Sequence, residues 1–193
     1  LARWLVGRRV APNQISLASL VFAVLGAGAM IATALVSGGM RAGLFVAAAV
    51  CIQLRLLCNL LDGMVAVEGG LGSPSGEVYN EVPDRIADPL LIVPAGYACG
   101  LPFGPELAWM AALLALLTAY IRALGGTLGL PQGFEGPMAK PHRMAAMTVG
   151  LIVAALVTPW AYEGPVLMLT LAVILLGAIL TAARRTRAIL NAL

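Results

Sequence analysis

Asn59, Asp62, Asn80, Glu81, Asp84 and Asp88 put amide and carboxylate oxygens inside a chain that is otherwise strongly apolar. An acidic group at the centre of a bilayer costs about 2.5 to 3.5 kcal/mol on insertion scales, so such groups face a cavity or one another and mark a site. At 100° per residue, Glu77, Asn80, Glu81, Asp84 and Asp88 share a helical stripe about 100° wide, and Asn59 and Asp62 share a face one turn apart. Two antiparallel helices that bring these faces together form an oxygen-rich cleft, the ligand set preferred by hard cations such as Mg²⁺, Mn²⁺ or Ca²⁺. Gly63 and Gly76 remove side chains where the cleft must admit something bulky. A rise of about 1.5 Å per residue sets Asp84 about 12 Å in from Gly76, a depth suited to chemistry at a lipid headgroup. The competing account is a polar cluster that only locks two helices together, with glycines that only permit close packing.

The elements that must position these residues follow from composition. The chain is 61% hydrophobic and 11% charged, whereas soluble domains carry about a quarter charged residues. An ordinary soluble domain is excluded, and an integral membrane protein is indicated. At about 20 residues per span, 193 residues hold six spans and no separate soluble domain. The apolar segments run over 15–36, 43–67, 76–99, 107–128, 144–159 and 165–183, separated by Gly-Gly, Pro-Phe-Gly-Pro and Glu-Gly-Pro breaks. Before them, Trp4 and Leu5 among Arg3, Arg8 and Arg9 give residues 1–12 the composition of a surface-lying amphipathic helix, or of a disordered charged start. Pro12 keeps that helix from continuing, and Asn13 is placed to cap the next. The expected fold is all-α: six transmembrane helices preceded by a short N-terminal surface helix, in one membrane domain over 1–193. Gly26, Gly28 and Gly177 read as helix-packing positions. Cys51, Cys58 and Cys99 lie in apolar runs and read as core packing, and His142 alone makes no histidine metal cluster.

Orientation follows from the basic residues. With both ends cytoplasmic, that side holds Arg3, Arg8, Arg9, Arg122, Lys140, Arg143, Arg184, Arg185 and Arg187, and the far side only Arg41. The Arg184 to Arg187 run reads as a topology signal. The break over Glu68 to Ser75 then opens the cleft to the cytoplasm. The expected location is the cytoplasmic (inner) membrane, with membrane lipid as a partner and no nucleic acid.

The central stretch resembles a known family. CDP-alcohol phosphotransferases carry D-x2-D-G-x2-A-R-x8-G-x3-D-x3-D across their second and third membrane helices, and this chain places Asn59, Asp62, Gly63, Ala66, Val67, Gly76, Asn80 and Asp84 at the same spacing. The six-helix layout, the N-terminal surface helix and the P-N-x-I-S start of the first span are also similar to the family. The resemblance implies transfer of a substituted phosphate from a CDP-linked lipid donor, commonly CDP-diacylglycerol, to an alcohol acceptor in phospholipid synthesis, with release of CMP. Carried over, Asp62 is a metal ligand, Asp84 the general base and a further ligand, and Asp62, Gly63, Ala66 and Gly76 line the CMP part of the donor. Mg²⁺ or Mn²⁺ is the implied cofactor.

Asn59, Asn80 and Val67 depart from the pattern. An Asn carbonyl can still ligate, yet two negative charges are lost, so a divalent pair should be held less tightly, with Glu81 and Asp88 on the same stripe able to restore charge. Arg122, Lys140 and Arg143 stand where family members bind a phosphate on the acceptor; positive-inside anchoring accounts for them equally well. A homodimer is compatible with this layout. The alternative to an enzyme is a non-catalytic CDP-lipid-binding partner or regulatory subunit; a transporter with an acidic pathway suits the motif less.

Hairpin geometry adds one more expectation. With Val67 level with Gly76, paired positions sum to about 143, which sets Asn59 level with Asp84 and Arg55 with Asp88. An Arg55 to Asp88 ion pair then floors the cleft, leaving Asp84 free for chemistry, while Arg85 points elsewhere. The orientation is open to direct test: alkaline phosphatase fused after Leu193 should be inactive and fused after Gly100 active, and the opposite pattern reverses the assignment.

Overall fold

The computed structural model describes residues 1–70, 75–131 and 136–193, apart from the side chain of Glu77. Seven α-helices follow one another: α1 (Ala2–Gly7), α2 (Pro12–Ala32), α3 (Gly38–Glu68), α4 (Gly76–Ala98), α5 (Gly104–Thr127), α6 (Lys140–Val157) and α7 (Glu163–Ala192). Short 3₁₀ turns extend α2 and α6, and there is no strand among the described residues. Five of the six long helices are long and apolar enough to cross a membrane. The exception is α4, whose Glu77, Glu81, Asp84, Arg85 and Asp88 crowd its first half.

Helix limits differ from the apolar segments where polar residues still favour helix. Pro12 opens α2 instead of only ending α1, because a proline at the first helical position lacks only an N–H that would have no partner there. The cap is Ala11, whose backbone N–H donates to Gln14 Oε1 at 3.2 Å, so Asn13 lies inside the helix. At the far end, α7 continues nine residues past Ala183 through Arg184, Arg185 and Arg187. The apolar run ends there; helix propensity does not.

The packing order opens the expected α3/α4 hairpin. Helix α2 packs along both α3 and α4, α5 packs on α4 and α7, and α6 on α3 and α7. Neighbours in sequence, α3 and α4 do not lie against each other along their length; long side chains span the gap between them. A cleft is the result. Alternating helix directions gather Ser16, Asp62, Asp84, Arg122, Lys140 and Arg185 toward one end of the bundle, while Arg41 pairs with buried Glu163 at 3.1 Å toward the other. Helix α1 rests on the site end of α3 through Ala2, Leu5 and Val6 against Leu61 and Val65.

Small residues allow the close crossings. A Cβ on Gly96 would stand 2.5 Å from both Ala108 Cβ and the Gly104 carbonyl oxygen, and one on Gly177 would stand 2.6 Å from Met138 Cε. At Gly26 the nearest neighbour, Leu91 Cδ2, would be 3.1 Å away, but Gly28 faces open space and is not a packing position. Gly96→Ala should therefore cost about 1 to 3 kcal/mol by overpacking, whereas Gly28→Ala should be neutral or stabilise by up to about 1 kcal/mol through helix propensity. Thermal melting in detergent distinguishes the two; equal losses would show that the α4/α5 crossing yields.

Candidate functional site

One turn apart on α4, Asp84 and Asp88 are 6% and 2% exposed, and Arg55 on α3 is wholly buried. Arg55 Nη2 donates to Asp84 Oδ1 at 2.9 Å and to Asp88 Oδ1 at 3.1 Å, while Asn59 Nδ2 donates to Asp84 Oδ1 at 2.9 Å. The residues set level by the hairpin register do face one another. Asp84 is not left free, however. A single guanidinium nitrogen reaches both carboxylates because they stand on one face of one helix, and Lys140 Nζ takes the other oxygen of Asp84.

Arg143, expected at an acceptor phosphate, is turned inward instead. It is 2% exposed and donates through Nη2 to Asp88 Oδ2 at 2.6 Å, and through Nη1 to the Met138 carbonyl at 2.8 Å and Thr118 Oγ1 at 3.4 Å. The cause is the start of α6 at Lys140, which sets both basic residues on its first turn, within reach of two desolvated carboxylates that need cations. Arg185, read from sequence as a topology signal, is also a site residue: it is 8% exposed and donates to the Thr118 carbonyl at 2.7 Å. Only the continuation of α7 could have revealed it.

Asp62 points the other way, toward α2. Ser16 Oγ donates to its Oδ2 at 2.6 Å and the Gly63 N–H to its Oδ1 at 2.6 Å. Ser16 comes from the P-N-x-I-S segment, so that motif and the acidic motif meet in space. Glu81 accepts from Arg85 one turn on and from Arg122 of α5. Arg85 thus points away from Asp84, as its position around the helix requires.

Asn59, Asn80, Glu81, Asp84, Arg122, Lys140 and Arg185 line one cavity of about 320 Å³, together with Arg85 and Arg143. Its walls carry two carboxylates against five basic side chains. Such a wall attracts anions. Gly63 is exposed, a Cβ there would meet nothing within 4 Å, and Val67 in the motif's arginine position is 83% exposed. Both leave the flank of α3 open, whereas Ala66 is half-buried, as is Gly76 at the first turn of α4.

The residues expected as metal ligands, Asn59, Asp62, Asn80, Glu81 and Asp84, do not all converge on one point. Among the described residues no three acidic, histidine or cysteine side chains gather as a metal cluster. Both oxygens of Asp84 already meet cations, and so do those of Glu81. Asp62 meets only a hydroxyl and an amide. One carboxylate, aided by amide oxygens and a ligand's phosphates, suffices for Mg²⁺. The residues fit one divalent ion beside Asp62 and do not fit a second at Asp84.

Comparison with known proteins places this arrangement. The family profile described as CDP-alcohol phosphatidyltransferase matches residues 9–183. The chain is 32% identical over 149 residues to a bifunctional IPC transferase and DIPP synthase of Rubrobacter xylanophilus, covering 76% of this chain and 32% of that protein. It thus spans about a third of that relative's length. It is 27% identical to inner membrane protein YnbA of Escherichia coli, over 97% of this chain and 88% of that one, and 27% identical to phosphatidylinositol phosphate synthase of Corynebacterium glutamicum, over 84% and 72%. Solved structures of phosphatidylinositol phosphate synthase from Mycobacterium tuberculosis superpose with TM-scores of 0.78 with CDP-DAG bound and 0.79 in complex with manganese and citrate. At 21% and 22% identity, covering 97% of this chain and 90% and 86% of those chains, they establish the fold alone.

The buried array makes a clear stability forecast. Asp88→Ala removes the carboxylate shared by Arg55 and Arg143 and should cost about 3 to 5 kcal/mol. Glu68→Ala, which breaks only a 3.9 Å surface pair with Arg3, should change stability by less than about 0.5 kcal/mol. Melting curves in detergent compare them, and similar values would mean the array carries no special weight.

Proposed function

The chain belongs to the CDP-alcohol phosphatidyltransferase family, and we propose that it transfers a substituted phosphate from a CDP-linked lipid, with CDP-diacylglycerol as the donor, to an alcohol in phospholipid synthesis, releasing CMP. One observation carries the reading: Asp84, in the motif's last position, stands on the wall of a cationic cavity at the site end of the bundle. Such a cavity suits a diphosphate donor and an acceptor that itself bears negative charge.

In this reading the acceptor hydroxyl oxygen attacks the lipid-bearing phosphorus of the donor. The bond from that phosphorus to the bridging oxygen breaks, CMP leaves with the electron pair, and Asp84 takes the hydroxyl proton. Arg55 and Asn59 hold one oxygen of Asp84 in place, so the other, which accepts from Lys140, is the one that meets the acceptor. Ser16 fixes Asp62 toward α2, and the missing side chain at Gly63 leaves room for the nucleotide. Asp62 would hold a divalent cation, which when bound would supply charge neutralisation on the donor diphosphate. Arg122 and Arg185 are the acceptor-side cations. Both chain ends and the cavity face the cytoplasm in this proposal, and the similarity to an inner membrane protein of Escherichia coli supports a membrane location.

The engagement of Asp84 by Arg55, Asn59 and Lys140 favours a second reading, a CDP-lipid-binding partner without turnover. CMP release from CDP-diacylglycerol, assayed with a panel of alcohols and alcohol phosphates and with Mg²⁺ or Mn²⁺, decides between them: binding with no release across the panel selects the non-catalytic form. If transfer occurs, Asp84→Asn should lower it by about 10² to 10⁴-fold with donor binding kept within a few-fold. Gly63→Leu should weaken donor binding without lowering the melting temperature. Near wild-type turnover in Asp84→Asn would remove the base assignment.

A further inference from the structure

The distribution of charge around Asp84 does not suit the two-cation centre that four motif carboxylates would build. Asn59 and Asn80 withdraw two of those charges, and the Asn59 amide is turned so that its nitrogen, a donor, faces Asp84 at 2.9 Å. A metal at Asp84 would require an oxygen there. In the same place the structure puts an ammonium: Lys140 Nζ bonds to Asp84 Oδ2, with Arg55 on Oδ1. Lys140 is held from the first turn of α6, beside Arg143, which is itself locked to Asp88 at 2.6 Å. Its position is therefore set by the same buried array that sets Asp84.

We propose that the Lys140 ammonium occupies the second cation position of this site, so that the protein works with a single divalent ion and a built-in monovalent one. The substitutions then form one coherent set. Replacing a divalent cation by an ammonium lowers the local positive charge by one unit and needs fewer carboxylates around it, the same direction of change as the two negative charges that Asn at positions 59 and 80 removes. An ammonium also has three donors and needs no fixed coordination shell, so it can bond to Asp84 and to a donor phosphate oxygen together. Lys140 accordingly belongs to the donor side of the cavity and not to an acceptor phosphate. No bond is made or broken at the lysine; its part is electrostatic and positional.

This inference rests on the donor assignment above, and its test reads metal binding instead of turnover. Mn²⁺ is titrated into the detergent-solubilised full chain with saturating CDP-diacylglycerol and no acceptor, and bound metal is counted by the loss of the free-Mn²⁺ electron paramagnetic resonance signal. Wild type should saturate at one Mn²⁺ per chain. The double variant Asn59→Asp with Asn80→Asp should remain at one, because Lys140 still fills the position, and adding Lys140→Gln should raise the count to two. Two ions in wild type, two in the double variant, or one in the triple variant with an unchanged melting temperature would each overturn the lysine's place. Absence of bound Mn²⁺ from every form, or failure of CDP-diacylglycerol to bind, would overturn the metal and donor reading of the preceding subsection along with it. The wild-type count needs no variant to fold.

Discussion

The structure depends on the array in which Arg55 and Arg143 share Asp88, and Arg55 and Lys140 share Asp84. Isolated charges at such depth are costly in lipid, and ion pairing is the means by which they are retained. The array reaches from α3 through α4 to α6, and Thr118 joins it to α5 through Arg143 and to α7 through Arg185. Apolar packing alone would let α3 and α4 close together. The charged side chains instead bridge these helices, and the cavity opens beside them, lined by Asn59 of α3 and by residues of α4, α5, α6 and α7.

The same interactions that position Asp84 also occupy it. Arg55 and Asn59 hold one oxygen and Lys140 the other, so any group that reaches Asp84 from the cavity meets it beside an ammonium. One set of residues is divided by depth: Asp88 and Arg143 anchor the floor, and Asp84 and Lys140 face the opening.

Stability toward the other end of the bundle has a different source. Lipid tails are as apolar as leucine, so helix association there rests on close packing and internal hydrogen bonds. Gly96 and Gly104 bring α4 and α5 into backbone contact, a Cβ on Gly164 would lie 2.5 Å from the Cys99 carbonyl, and Arg41 pairs with Glu163. Pro83, Pro89 and Pro94 interrupt the hydrogen-bond ladder of α4, a weakness tolerable in a helix that α2, α5 and α7 enclose on several sides.

Much of this was legible in the order of residues. Apolar length and turn chemistry define the helices, a period of 3.6 puts Asp84 and Asp88 on one face, and the hairpin register sets Arg55 level with Asp88. Helix length and face are local properties and the register follows from one short connection, so all three survive translation from chain to structure. Whether α3 and α4 touch, which oxygen of Asp84 meets Lys140, why Arg143 turns inward to Asp88, and that Arg185 reaches Thr118 were decided by tertiary structure alone. Each depends on the distance between helices far apart in sequence, and that distance is set by α2 packing on both sides of the gap and by buried charges competing for the same few partners. Periodicity tells which face a residue takes; only packing determines what stands opposite it.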